Sequence, residues 1–397
     1  MKYDFTTVLD RAGHDSLAAD VIPFEGLSVD EGFDKIPMWI ADMSFPVAPC
    51  VPEAIKKRME MPNYGYFKLS DEYFAAIIRW QKERNGIEGL LPEHIGYENG
   101  VLGGVSSAVQ AFTSPGDKIL VHSPTYVGFT STLANTGRPI VHSPLKRDEA
   151  GIWRMDFEDM DRKIKENGIT FAIFCSPHNP CGRVWERWEI EKAMEVYAKN
   201  NCVVISDEIW SDIIMPGYKH IPTQSVSEDA RQRVIAFYAP SKTFSLAGLI
   251  GSYHIVYNDY LRQRLNRRST MSHYNDCNVL SMHGLIGAFS DEGMEWANEM
   301  IQVIDENLSL ACDFFAGIPG ISVMRPQGTY MLYLDCAQWC AEHGINIHEL
   351  QARGVRCGVI WQNGEAFQYP NSIRMNLALP KSRLEEALGR LEKYVFI

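Results

Sequence analysis

The stretch Arg233-Val-Ile-Ala-Phe-Tyr-Ala-Pro-Ser-Lys-Thr-Phe244 indicates the fold of this chain. Val234 to Tyr238 form a short apolar run typical of a buried strand, and a turn with Lys242 between two hydroxyl residues follows it directly. Open α/β sheets present reactive groups where their strands end. A lysine that is partly desolvated there can form a Schiff base with a carbonyl compound, whereas an isolated loop lysine is normally a solvated charge.

Two upstream segments favour the reactive interpretation of Lys242. The apolar run Phe171 to Cys175 leads into a loop with Asn179, and the run Cys202 to Ile205 leads into Asp207. An amine, a carboxylate and an amide have separate roles on one aromatic aldehyde cofactor. The amine holds the aldehyde carbon, the carboxylate keeps a pyridine nitrogen protonated, and the amide donates to the phenolate oxygen.

The order of these motifs resembles the fold type I pyridoxal-phosphate enzymes, the aspartate aminotransferase superfamily. Within it the chain looks most like the MalY/PatB-type cystathionine β-lyases, the carbon–sulfur lyase branch. The resemblance spans nearly the whole chain and rests on these motifs: Tyr3-Asp4-Phe5, Asp10-Arg11-x-Gly13, Trp39-Ile-Ala-Asp42-Met43-x-Phe45, Tyr64-Gly65-Tyr66, Ser176-Pro-His-Asn179-Pro180-Cys-Gly182-Arg183, Asp207-x-x-Trp210, Ser241-Lys242 and Ile373-Arg374-Met-Asn376-Leu-Ala.

The chain alternates helical segments with near-continuous apolar strands, which predicts an α/β fold with a largely parallel sheet covered by helices on both faces. The resemblance implies a three-layer α/β/α large domain with a mostly parallel sheet, plus a smaller α+β C-terminal domain. We expect an N-terminal arm over residues 1–45, which packs with the small domain and the partner subunit, a large cofactor-binding domain over 46–285 and the small domain over 286–397.

A glycine-rich loop begins at Asn99 and leads into a helix. The N–H groups of such a loop and the helix dipole attract phosphate, although a tight turn that merely starts a helix has the same sequence. The resemblance places the cofactor phosphate on Gly100, Val101 and Leu102. Tyr126 follows a predicted strand and could stack on a pyridine ring or simply be a core aromatic.

The resemblance implies roles for further residues. Lys242 is the catalytic lysine, and Tyr126, Asn179, Asp207, Trp210 and Ser241 join it in binding the cofactor. Asn179 and Tyr126 are also expected to contact the substrate.

The resemblance implies that two further residues of this chain bind anionic groups. Arg374 lies in an apolar strand, where an arginine is costly unless it meets an anion, so it is expected to bind the substrate carboxylate rather than form an internal salt bridge. Tyr66 is expected to reach the cofactor phosphate of the other subunit, which implies a homodimer with shared active sites.

Composition restricts the partners and the compartment. The formal net charge is −12 without a basic cluster, which argues against nucleic acid as a partner. Nine scattered cysteines are typical of reduced cytosolic thiols, and no apolar run approaches a membrane span, so we expect a cytoplasmic protein that does not bind membranes. Cys336, Cys340 and His343 lack a fourth ligand, and no metal site is expected.

These observations predict a pyridoxal-phosphate-dependent lyase that splits L-cystathionine or related cysteine S-conjugates into pyruvate, ammonia and a thiol. The residues serve transamination equally well, so an aminotransferase is the first alternative, and a cofactor-bearing regulatory or interaction protein is the second. A nicotinamide dehydrogenase is disfavoured because the glycine fingerprint is missing. The chain departs from the family patterns at Ser44, Trp210, Ala239 and Ile250, and these departures leave the substrate side chain open.

Overall fold

The computed structural model describes residues 1–397. Fifteen strands are present: β1 Ile36–Pro37, β2 Ile95–Glu98, β3 Ile119–Ser123, β4 Ile140–Pro144, β5 Lys146–Arg147, β6 Trp153–Arg154, β7 Phe171–Cys175, β8 Val203–Asp207, β9 Val234–Tyr238, β10 Ser252–Ile255, β11 Ser322–Val323, β12 Met331–Asp335, β13 Val359–Ile360, β14 Gln362–Asn363 and β15 Ser372–Asn376.

Fourteen α-helices accompany the strands: α1 Leu17–Asp20, α2 Cys50–Met59, α3 Asp71–Asn85, α4 Val101–Phe112, α5 Val127–Asn135, α6 Phe157–Asn167, α7 Arg187–Lys199, α8 Glu228–Arg233, α9 Asp259–Ser272, α10 Val279–Ala288, α11 Asp291–Ala316, α12 Ala337–Glu342, α13 Ile347–Arg356 and α14 Lys381–Tyr394. No helix is both long enough and apolar enough to cross a membrane.

The chain forms two compact units. One unit, which we call the sheet unit, comprises residues 47–179 and 183–297. The other, the terminal unit, comprises residues 1–46, 180–182 and 298–397. The predicted domain limits at residues 45 and 285 stay predictions, because compactness alone does not define an independently folding domain.

The sheet unit contains a seven-stranded sheet in the order β2-β10-β9-β8-β7-β3-β4. The five strands from β9 to β4 are mutually parallel, as predicted. Strand β10 is antiparallel to both β9 and β2. The connection from β9 to β10 contains only one 3₁₀ turn, Ala247–Leu249, rather than the crossover helix that a parallel pair normally requires.

Helices cover the sheet on both faces. Every residue of β3, β7 and β9 is buried. Successive side chains of a strand point to opposite faces, so complete burial requires packing on each side. The sheet unit is therefore the helix-covered, largely parallel α/β sheet that the sequence predicts.

Helix α3 begins and ends as its sequence predicts. The Ser70 side chain accepts from the Tyr73 N–H at the start, and Gly86 adopts a left-handed conformation at the end. The spacing of Phe74, Ile77 and Ile78 in the sequence predicts a core face through these three residues. That prediction was wrong in part, since Phe74 and Ile78 are only half-buried. The buried face instead runs through Tyr73, Ile77 and Trp80, because Trp80 stacks on Phe289 with ring centroids 4.5 Å apart.

The terminal unit contains a four-stranded antiparallel sheet in the order β11-β12-β15-β14. The N-terminal arm belongs to the same unit and adds β1, which pairs with β13 in parallel. Arg11 and Asp42 form an ion pair within the arm. The side chain of Asn376 donates to the carbonyl oxygens of Ile40 and Asp42, so the predicted arm motif packs against the end of β15.

Candidate active site

Three neighbouring strands of the sheet unit lead into the residues predicted to bind a cofactor. Asn179 lies in the loop after β7, Asp207 ends β8, and Lys242 follows β9. Strand β8 pairs in parallel with both β7 and β9, so the three carboxyl ends lie along one edge of the sheet. The Ser176 N–H donates to the Asp207 carbonyl oxygen over 2.9 Å, which ties the Asn179 loop to the end of β8.

Asp207 is a buried carboxyl group with an unusual proton affinity. Burial raises its pKa to about 7, while a hydrogen bond from the Ile209 N–H and the charge of Lys242 partly oppose that rise. The influence of Lys242 shows that the two side chains interact electrostatically. A nearby cation, such as a protonated pyridine nitrogen, stabilises the ionised form of such a buried carboxyl group.

Lys242 lies near an aromatic ring. Its Nζ is 5.9 Å from the ring centroid of Trp210, whose side chain is fully buried. The turn is held by its own backbone, since the Leu246 N–H donates to the Ser241 carbonyl oxygen over 3.1 Å. Amine, indole and buried carboxyl group thus belong to one part of the sheet unit.

The predicted phosphate loop joins β2 to α4. Gly100 occupies the position before the first turn of α4 with a φ of +76°, a conformation that glycine adopts without strain. No side chain caps the first turn of this twelve-residue helix. The N–H groups at Val101 and Leu102 are therefore not capped from within the helix and suit an anion.

Tyr126 precedes α5 and lies beside the phosphate loop. Its ring meets Phe129 edge-on with centroids 5.4 Å apart. A Cβ atom at Gly128 would collide with the Tyr126 ring and would lie 2.8 Å from Leu102. Gly128 thus permits the Tyr126 ring and the Leu102 side chain to converge on one spot.

Two further site residues were predicted, Tyr66 in the sheet unit and Arg374 in the terminal unit. Tyr66 is fully exposed in a segment without regular secondary structure. Arg374 belongs to the terminal unit, where it is buried on β15 with a guanidinium carbon 4.6 Å from the Phe367 ring centroid. One guanidinium nitrogen donates to the Trp39 carbonyl oxygen over 3.1 Å.

Comparison with known proteins identifies the family. The model of the family "Aminotransferase class I and II" matches residues 34–391. The chain belongs to the class I and II aminotransferase family. As a member of this family it is 33% identical over 363 residues to cystathionine β-lyase PatB of Bacillus subtilis, which covers 90% of this chain and 92% of that protein.

Solved structures of other proteins share the fold of this class I and II aminotransferase family member. Cystalysin from Treponema denticola, which contains a pyridoxal 5'-phosphate cofactor, is 31% identical with a TM-score of 0.91, covering 99% of this chain and 98% of that one. The pyridoxal-phosphate-bound C–S lyase from Staphylococcus hominis is 28% identical with a TM-score of 0.90, covering 100% and 99%. The resemblance predicted from the motifs is confirmed.

The residues of this family member fit pyridoxal phosphate. A buried carboxyl group suits the pyridine nitrogen, an amine suits the aldehyde, and an uncapped helix start suits the phosphate. Ile250 stands where many aminotransferases have a phosphate-binding arginine, and it is half-exposed with a φ of +49°. Ala239 is buried. Because the side chains of Ile250 and Ala239 are aliphatic, neither can donate a hydrogen bond to a phosphate.

Sequence reasoning missed two buried acidic residues of this family member. Glu208 accepts from Tyr238 over 2.6 Å and lies 2.8 Å from His220. Although burial opposes it, these hydrogen bonds hold the pKa of Glu208 below its usual value. Asp212 accepts from Trp80 and Thr243. Strand alternation could have separated Glu208 from Asp207, since successive side chains point to opposite faces, but no local signal marks Asp212.

Proposed function

We propose that this protein is a pyridoxal-phosphate-dependent carbon–sulfur β-lyase. It converts L-cystathionine or a related cysteine S-conjugate, with water, to pyruvate, ammonia and a thiol. The observation that carries the proposal is the convergence of Lys242 and the buried Asp207 at neighbouring strand ends. The curated relatives named cystathionine β-lyase support a lyase over an aminotransferase.

Each part of the cofactor has a residue of the sheet unit to hold it. Lys242 holds the aldehyde carbon, Asp207 pairs with the pyridine nitrogen, and Asn179 donates to the phenolate oxygen. The N–H groups of Val101 and Leu102 would bind the phosphate, and Ser241 would add its hydroxyl group. Gly100 shapes this loop, while its own N–H donates to the Glu98 carbonyl oxygen over 2.9 Å. Bound pyridoxal phosphate supplies an electron sink for the carbanion that forms when the substrate loses its Cα proton.

Trp210 and Tyr126 provide the aromatic contacts of the site. Trp210 offers an indole N–H to the phenolate oxygen, where aminotransferases of this family commonly have a tyrosine. Because an indole cannot ionise there, the Trp210 contact is neutral. The ring of Tyr126, which lies beside the Leu102 side chain, would stack on the pyridine ring.

Lys242 moves the proton in the elimination. Its neutral amine removes the Cα proton of the substrate as a general base. Loss of the Cα proton and departure of the thiolate from Cβ leave an unsaturated amino acid, which water hydrolyses to pyruvate and ammonia. The carboxylate of Asp207 would stabilise positive charge on the pyridine nitrogen of the bound cofactor.

Arg374 binds the α-carboxylate of the substrate. A guanidinium group matches a carboxylate with two parallel hydrogen bonds. The Trp39 carbonyl oxygen and the Phe367 ring hold the guanidinium in the terminal unit. Asn179 and Tyr126 complete the substrate contacts.

The functional protein is a cytoplasmic homodimer with shared active sites. Tyr66 is fully exposed, and the cavity beside it is lined by Tyr64, Phe67 and Leu69 together with residues 275–277. Such an aromatic surface is suited to burial against a second copy, where Tyr66 reaches the cofactor phosphate. All nine cysteines are free, as expected in a reducing compartment.

Release of pyruvate from L-cystathionine without any 2-oxo acid tests this function. A lyase releases pyruvate and thiol continuously until the substrate is consumed. An aminotransferase stops after one half-reaction, because the cofactor is left in its amine form. A wild-type protein that binds pyridoxal phosphate but releases no pyruvate beyond one equivalent per subunit would refute the lyase proposal.

A further inference from the structure

Asp212 links two segments of the sheet unit through buried hydrogen bonds. One carboxylate oxygen, Oδ2, accepts from the Thr243 hydroxyl group over 2.9 Å. The other, Oδ1, accepts from the indole N–H of Trp80 over 3.0 Å. Thr243 is fully buried and Asp212 is 5% exposed, so water does not compete for these bonds.

The two segments that Asp212 joins both carry residues of the proposed site. Thr243 directly follows Lys242, and Asp212 lies two residues after Trp210. The Ile213 N–H donates to the Trp210 carbonyl oxygen over 3.0 Å, which forms a tight turn around Asp212. The bond from Thr243 to Asp212 therefore connects the Lys242 turn to the segment whose indole ring lies 5.9 Å from Lys242 Nζ.

Further buried contacts hold Asp212 and the residues beside Thr243 in place. Arg84 donates to the Asp212 carbonyl oxygen over 2.7 Å, and Trp80 stacks on Phe289. Phe244 lies between the Trp80 and Trp296 rings, with both centroids 5.7 Å from its own. Burial raises the pKa of Asp212, and the charge of Arg84 partly opposes that rise.

We propose that Asp212 and Thr243 are positioning residues for Lys242. The hydrogen bond fixes the backbone on the C-terminal side of the lysine and so sets the direction from which its amine reaches the aldehyde carbon and the Cα proton. Neither residue touches the reacting atoms. This inference rests on the proposed function, since it assigns Lys242 both of those tasks.

Replacement of the hydroxyl group tests the inference in the intact holoenzyme. Thr243→Val keeps the shape of the side chain and removes the donor, whereas Thr243→Ser keeps the donor. Asp212→Asn removes the charged acceptor from the other side. Thr136→Val is the matched control, because that hydroxyl group also donates to a partner in the same unit, the Thr132 carbonyl oxygen, over 2.7 Å.

We expect Thr243→Val and Asp212→Asn to lower kcat by about tenfold to a hundredfold with KM nearly unchanged, since a small misplacement of a catalytic group has that effect. The pH midpoint of the visible absorption band of the bound cofactor should shift in both variants. Thr243→Ser should restore the wild-type kcat and midpoint, and Thr136→Val should leave both unchanged. A purely structural role would lower the melting temperature without moving the midpoint.

The outcomes separate this inference from the function on which it rests. A wild-type protein without a visible band after addition of pyridoxal phosphate overturns the proposed function. A wild-type band with unchanged kcat and midpoint in Thr243→Val overturns the positioning role alone. If Thr243→Val does not fold, Thr243→Ala removes the same donor without added bulk, and an unchanged kcat and midpoint in Thr243→Ala overturns the role.

Discussion

The backbone N–H of Ser176 donates a 2.9 Å hydrogen bond to the carbonyl oxygen of Asp207. This bond joins the loop that carries Asn179 to the strand that ends in Asp207. It keeps the amide and the carboxyl group at one edge of the sheet, where the turn with Lys242 also begins. The proposed function depends on this convergence of three strand ends.

Substitution of Asp207 tests the electron-sink role. We expect Asp207→Ala to lower kcat/KM by about a hundredfold or more, because the pyridine nitrogen loses its anionic partner. Asp229→Ala is a matched control, since that carboxylate pairs with Arg233 on the surface of the same unit. Steady-state pyruvate release measures both. Wild-type kcat/KM in Asp207→Ala would exclude the proposed role.

The raised pKa of Asp207 also predicts how stability depends on pH. The folded value of about 7 lies above the unfolded value of 3.8, so the protonated group favours the folded state at low pH. That contribution is complete below pH 3.8 and is lost as pH rises through 7. It amounts to roughly 4 kcal/mol at most.

Denaturant unfolding of cofactor-free protein between pH 5 and 8 measures this effect. Asp207→Asn cannot ionise, so its free energy of unfolding should decline less over that range than the wild-type value. Parallel curves for the two proteins would contradict the assignment. The cofactor must be removed from both proteins, because a bound pyridine cation would lower the pKa of Asp207.

Arg374 is expected to govern substrate affinity. Arg374→Lys keeps the charge and loses the two-pronged geometry, so KM should rise about tenfold or more while the visible band of the cofactor stays intact. Arg162→Lys on the surface of α6 provides the control. An unchanged KM in Arg374→Lys would show that another group binds the carboxylate.

Gly128 is expected to control cofactor affinity through Tyr126 and Leu102. Gly128→Ala places a methyl group against both side chains and should weaken binding of pyridoxal phosphate, measured by titration of the visible band. Gly389→Ala is the control, because an added Cβ there meets no atom within 4 Å. Equal affinities for the two variants would refute the crowding argument.

The shared-site proposal predicts complementation between two inactive variants. Lys242→Ala retains Tyr66, and Tyr66→Ala retains Lys242. After the mixed subunits exchange, half of the dimers contain one native site, so activity should recover to about a quarter of the wild-type value. Recovery of no activity, with exchange verified by mass, would contradict a site shared between subunits.

The strand ends were predictable because the local signals agree. β7, β8 and β9 are apolar runs that stop at polar residues. Apolar side chains on both faces of a strand predict a sheet that is covered on both faces. Helix α3 was predicted to within its caps for a similar reason, since Ser70 and Gly86 carry their signals locally. The position of Lys242 in the fold therefore follows from short stretches of sequence.

The remaining features depend on contacts between distant residues. The buried face of α3 follows from the stacking of Trp80 on Phe289, which is 209 positions further along the chain. Asp212 gains its role from Thr243 in another segment, and Arg374 gains a partner in the Trp39 carbonyl oxygen. Sequence patterns of helices and strands carry no information about such pairs.

Borohydride reduction of the holoenzyme, followed by digestion and mass spectrometry, shows which lysine holds the cofactor. We expect reduction to abolish the visible band and to leave one phosphopyridoxyl group on the peptide that contains Lys242. Lys242→Ala should carry none. A protein that stays colourless with pyridoxal phosphate, or one that carries the group on a different lysine, would contradict the account.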